Sequence, residues 1–124
     1  MAGGVGSRFW PISKKDSPKQ FLDVLGVGET LIQQTFNRLR KVCLEENIFV
    51  ITNVNYKSLC FEQLPALSKS NILCEPAIRN TAPCIAYACF KIKSINEDAN
   101  IIIAASDHII TKEDAFLRVV DTCL

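Results

Sequence analysis

Histidine, methionine and tryptophan are scarce in this chain of 124 residues, with one of each. The lone histidine, His108, has no matching serine or cysteine arrangement around it, so a catalytic triad is not indicated and an orienting or packing role is expected. Six cysteines (43, 60, 74, 84, 89 and 123) include no CxxC pair and no His–Cys spacing of a zinc site, and most fall in apolar segments. They are expected to be reduced structural thiols. No run approaches the ~18 apolar residues of a membrane span, and no basic region followed by an apolar run opens the chain. A cytoplasmic protein without a membrane partner is expected. Charge of one sign is also lacking: the net charge is +1, with acids and bases scattered. That excludes the broad basic face on which nucleic-acid binding depends. Repeats, low-complexity tracts and linkers are absent, so residues 1–124 read as part of one domain.

What is present is alternation. Residues 1–28 are rich in Gly, Pro, Ser and Lys and read as loop. Thr30 with Gln33 makes a capping box for a helix over 30–43, with Ile32, Phe36, Leu39 and Cys43 on one face. The β-rich run 48–52 predicts a strand stopped by Asn53, and 55–64 a second helix. A further strand is expected over 71–75, ended by Pro76. Thr81 is expected to cap a third helix, with Pro83 in its first turn. The apolar run 101–105 predicts a strand buried on both faces, and a last helix begins near Lys112. Such alternation implies an α/β fold with a mostly parallel sheet, whose ligands bind beyond the carboxyl ends of the strands.

Four clusters carry chemistry. Gly3, Gly4 and Gly6 let the backbone turn sharply and approach a ligand, and Arg8 adds a fixed charge able to grip phosphate oxygens. The spacing is neither a dinucleotide fingerprint, because Phe9 stands where the third Gly belongs, nor a P-loop. A plain glycine turn would read the same way. Pro18 stiffens the backbone before Lys19, whose ammonium can meet a phosphate or simply be solvated. Glu75 to Pro83 lies between a strand end and a helix start, where Asn80 and Thr81 can contact a base or anion besides capping the helix. Asp107 follows the apolar run at 101–105 and is placed to hold Mg²⁺ against substrate phosphates, although Asp also opens ordinary turns.

In this order the clusters resemble one family across essentially the whole chain. Gly3-Gly4-Val5-Gly6-Ser7-Arg8-Phe9-Trp10-Pro11 followed by Pro18-Lys19-Gln20-Phe21 is similar to the opening of the sugar-1-phosphate nucleotidyltransferases. Trp10-Pro11, Lys19-Gln20-Phe21 and Glu75-Pro76-x-x-Arg79-Asn80-Thr81-Ala82-Pro83 favour its mannose-1-phosphate guanylyltransferase branch. Ala105-Ser106-Asp107-His108 resembles its metal-binding strand end. The resemblance implies a doubly wound, Rossmann-like (GT-A-like) nucleotidyltransferase domain and transfer of GMP from GTP to mannose 1-phosphate. It implies that Gly3, Gly4 and Gly6 line the nucleotide and that Arg8 and Lys19 stabilise phosphate charge. Asp107 would bind Mg²⁺, with Glu75, Asn80 and Thr81 near base and ribose. Homo-oligomerisation of the intact protein is left open.

Against the family pattern, no strand precedes the glycine loop, and the sugar-binding half with its second metal-binding aspartate does not follow. The chain therefore reads as a front portion, incomplete at both ends and expected to be inactive alone. A sibling enzyme with another sugar or nucleotide, or a non-catalytic nucleotide-binding subunit, are the alternatives.

Overall fold

Residues 1–3, 10–14, 16–77 and 79–124 are described by the computed structural model of the chain. Two short strands organise it. β1 (Val50–Thr52) and β2 (Ile72–Cys74) run parallel, with Val50 opposite Ile72, Ile51 opposite Leu73 and Thr52 opposite Cys74. Parallel neighbours need a crossover, and the helix α2 lies within it. In chain order the helices are α1 (Leu31–Leu39), α2 (Lys57–Gln63), α3 (Thr81–Lys93) and α4 (Glu113–Cys123).

Successive strand residues point to opposite faces, and here both faces are covered. Val50 and Ile72 join Ile32 and Phe36 of α1, Cys60 of α2 and Tyr56 in one buried cluster. Ile51 packs instead with Cys84 and Ala88 of α3, and Leu73 lies against them. The sheet is thus a layer between helices, which is the α/β arrangement expected of a short apolar strand with no polar alternation.

α1 starts where Thr30 and Gln33 predict, since Gln33 Oε1 accepts the Thr30 backbone N–H at 2.9 Å. It ends at Leu39 rather than residue 43, because residues 40–42 close into a turn. Arg38 on this helix is buried, donates to Glu113 Oε2 at 3.3 Å and stacks 6.0 Å from the centre of the Phe116 ring. Lys41 also bonds Glu113, so one carboxylate at the start of α4 ties that helix to α1. At α3 the expectation is corrected by one residue. Asn80, at φ 67°, holds the cap position and Thr81 is the first helical residue; no side chain caps this end. Asn tolerates that left-handed backbone better than most residues.

Residues Met1–Gly3 lie between β1 and residues 104–106. The Met1 amino group donates to Ala104 O at 2.8 Å, Ser106 N donates to Met1 O at 3.1 Å, and Ala2 N donates to Ile51 O at 2.8 Å. Bonds from one residue to the two that flank Ala105 form a parallel rung. The strand expected over 101–105 is otherwise not made. Ile102 and Ile103 are 39% and 44% exposed, and an apolar cavity of about 500 Å³ opens between this run and Ile48–Ile51. Apolar composition supplies the tendency to be buried, but a strand also needs an adjacent backbone to bond, and among the described residues Met1 is the one bonded to this run.

All six cysteines are free; Cys60 and Cys84 are buried, and Cys123 is exposed. Among the described residues no helix is long and apolar enough to cross a membrane.

Candidate functional site

A cleft of about 330 Å³ lies where the chain leaves β2 and where residues 104–106 meet Met1–Gly3. Its walls bring together Gly3, Lys19, Glu75, Asn80, Thr81 and Asp107, residues up to 104 positions apart that only the fold makes neighbours. Gly4, Gly6 and Arg8, the other residues expected to bind the nucleotide, lie outside the described residues.

Lys19 opens a single helical turn, Lys19–Phe21, set by buried Pro18 at φ −65°. Phe21 turns inward against Tyr56, with ring centres 6.0 Å apart, and Gln63 Nε2 donates to its carbonyl at 3.1 Å. With Gln20 and Phe21 both buried, Lys19 is left to face the cleft. Its ammonium donates to the backbone carbonyl of Asp107 at 3.3 Å and stands 4.0 Å from the Asp107 carboxylate. That carboxylate is also 4.0 Å from Nε2 of His108, whose side chain is 72% exposed. At that exposure the packing role expected of His108 is not made.

Glu75 follows β2, and its N–H donates to Thr52 O at 2.9 Å, so its position is tied to β1 as well. Gly3 has no Cβ for a reason visible here. A Cβ at that position would stand 2.8 Å from Glu75 Oε1, closer than real Cβ atoms come. The cap and first turn of α3 supply Asn80, Thr81 and Cys84 to the wall. Its unpaired N–H groups and the positive end of its dipole favour an anion in the cleft. Burial, and then the Glu75 charge beside it, push the Cys84 thiol up and disfavour its thiolate.

Among the described residues no three His, Cys, Asp or Glu side chains form a ready-made metal cage. One half-exposed carboxylate at Asp107 suits a Mg²⁺ that keeps its waters and shares ligands with substrate phosphates. Gln20, Ser106 and Cys84 line the same cleft and escape sequence reasoning. Gln20 and Ser106 are flanked by recognisable site residues, Lys19 and Asp107, but nothing in a sequence reports that a polar side chain is buried.

Residues 1–123 match the family model described as nucleotidyl transferase. The chain is 42% identical to a mannose-1-phosphate guanylyltransferase of Salmonella muenchen over 98% of its own length. It is 44% identical to the mannose-1-phosphate guanylyltransferase RfbM of Salmonella typhimurium over 97%, and 46% identical to that of Escherichia coli K12 over 94%. The chain spans about a quarter of the length of these relatives, 26%, 26% and 25% respectively. It belongs to the nucleotidyl transferase family.

Proposed function

We propose that this member of the nucleotidyl transferase family acts, within the protein at its full length, as a mannose-1-phosphate guanylyltransferase. A phosphate oxygen of mannose 1-phosphate attacks the α-phosphorus of GTP, the bond to the β-phosphate breaks, and GDP-mannose and pyrophosphate leave. The observation that carries this reading is the convergence of Gly3, Lys19, Glu75, Asn80, Thr81 and Asp107 on one cleft. The names of the relatives supply the nucleotide and the sugar. The reading extends the α/β arrangement to a doubly wound, GT-A-like domain and places the protein in the cytoplasm.

Phosphoryl chemistry of this kind asks the protein to position reactants and neutralise charge rather than to form covalent bonds. Lys19 brings a point charge to the phosphates, and Arg8 is assigned the same task. Gly3, with Gly4 and Gly6, lets backbone approach the nucleotide. Glu75 offers an acceptor to base N–H groups, while Asn80 and Thr81 stand at the positive end of α3. Asp107 would hold Mg²⁺, which supplies charge neutralisation at the phosphates when bound. Lys19, already bonded to the Asp107 backbone, keeps the carboxylate close to the phosphate charge that both residues address.

The test measures pyrophosphate release by the full-length protein over a panel of nucleoside triphosphates and sugar 1-phosphates. GTP with mannose 1-phosphate should give the highest kcat/KM, and Asp107→Ala should abolish turnover while leaving part of the GTP binding. Preference for another pair would make it a sibling enzyme. GTP binding with no turnover on any pair would make it a binding subunit and reject the catalytic reading.

A further inference from the structure

Three polar side chains near the cleft are buried: Thr52 is 0%, Gln20 4% and Ser106 5% exposed. All three point at the first two peptide carbonyls of the chain. Ala2 O accepts Gln20 Nε2 at 2.9 Å and Thr52 Oγ1 at 3.0 Å. Met1 O accepts both the backbone N–H of Ser106 at 3.1 Å and its Oγ at 2.6 Å. A carbonyl has two lone pairs, so each of these two adjacent carbonyls is used in full.

The donors do not come from one place. Gln20 immediately follows Lys19, Ser106 immediately precedes Asp107, and the carbonyl of Thr52 receives the Glu75 N–H at 2.9 Å. The segments of Lys19 and Asp107 are therefore pinned to these two peptide units directly and that of Glu75 through Thr52, and the next residue is Gly3. An apolar side chain of equal size would fill these positions without the cost of burying a polar group. What the polar ones add is registry, because a hydrogen bond has a length and a direction while apolar contact tolerates sliding.

We propose that Gln20, Thr52 and Ser106 are positioning residues that use the Met1 and Ala2 carbonyls as a hub to set the spacing of Lys19, Glu75 and Asp107 around Gly3. The proposal rests on the nucleotidyl-transfer reading for its kinetic consequence, not for its geometry. Misplacing a reacting group by about 1 Å can cost on the order of a hundredfold in rate, so loosening one hub bond is expected to act on kcat.

The experiment compares Thr52→Val, Thr52→Ser, Gln20→Met and Ser106→Ala in the full-length protein, each assayed well below its own melting temperature. Thr52→Val and Gln20→Met should each lower kcat about five- to tenfold. Thr52→Ser, which keeps the hydroxyl, should restore it. The double variant of Gln20 and Thr52 should lose less than the product of the single losses, because both bond one carbonyl. Ser106→Ala deletes only a hydroxyl and serves if Thr52→Val does not fold. Amide hydrogen exchange without substrate gives a readout independent of activity. In Thr52→Val, exchange should rise in residues 19–21 and 106–107, both remote from residue 52 in sequence. Variants that melt lower yet keep wild-type kcat and unchanged exchange at those segments overturn the hub. A wild-type protein with no turnover rejects the function reading instead, and the exchange result still decides the hub.

Discussion

Gly3→Ala separates what the cleft does from what holds the fold. The added Cβ would stand 2.8 Å from Oε1 of Glu75, so something must move. The obstructing atom is the far end of a flexible side chain, and turning Glu75 aside costs about 0.5–1.5 kcal/mol if it leaves a rotamer well. Gly3 is not among the positive-φ residues, so alanine adds no left-handed strain there. Alanine also narrows the unfolded ensemble, which returns about 0.4–1 kcal/mol. The two effects nearly cancel, and the melting temperature is expected to stay within about 4 °C of wild type. Function should respond differently, because the displaced carboxylate is the one assigned to the nucleotide. Loss of one hydrogen bond to a charged group is worth about 1.5–3 kcal/mol, or roughly 10- to 150-fold in GTP affinity. Calorimetric titration of Mg·GTP into both proteins, with Glu75→Gln as a second variant, measures this. Unchanged affinity in Gly3→Ala would refute the reasoning that Glu75, seated against Gly3, contacts the nucleotide. A melting temperature lowered by 10 °C or more would show that the neighbour does not yield.

Other outcomes follow from the packing. Glu113→Gln should cost about 2 kcal/mol in urea unfolding, because it leaves the buried Arg38 guanidinium without its carboxylate; the range for wholly buried pairs is higher, and Glu113 is a third exposed. Lys41, bonded to Glu113, and after it Arg38 hold that carboxyl below the ordinary range against the opposing effect of burial. A depressed folded value means stabilisation present above the unfolded value near ~4.3 and lost as pH falls through the folded one. The acid limb of a stability–pH profile should therefore be shallower in the variant. Burial pushes the Cys60 thiol up to about 11, so its contribution is complete below the unfolded value of ~8.5 and lost as pH rises toward the folded one. Cys60→Ala should flatten the alkaline limb, and an unchanged alkaline limb would assign it to other groups. Val50→Ala and Ile51→Ala should each destabilise by about 2 kcal/mol or more, since these neighbours serve opposite cores; a near-zero effect at either would mean that face is not packed.

Much of the local structure is legible along the chain. The Thr30–Gln33 box starts α1 where it stands, and β1, β2, α3 and α4 fall within a few residues of the pattern that predicts them. These features depend on neighbours three or four positions apart, and that information travels with the sequence. Ends are less legible. Whether a helix stops at residue 39 or 43, or caps on Asn80 or Thr81, turns on hydrogen bonds of comparable strength. The run 101–105 shows the limit most plainly. Five apolar residues state that a segment prefers burial, but not whether a backbone lies alongside to make it a strand, and among the described residues Met1 alone is bonded to it.

The sequence by itself determined which chemical groups this protein owns and the order in which they come: glycines and Arg8, Lys19, the Glu75–Pro83 segment, Asp107. Motif chemistry is local, so a single chain suffices to recognise it. Only the tertiary structure decided that Lys19 touches Asp107, that Glu75 sits against Gly3, and that Gln20, Thr52 and Ser106 converge on two carbonyls. Those contacts join residues 18 to 105 positions apart. Their formation depends on how α2 and α3 place the ends of two short strands, and no spacing along the chain encodes a distance in space.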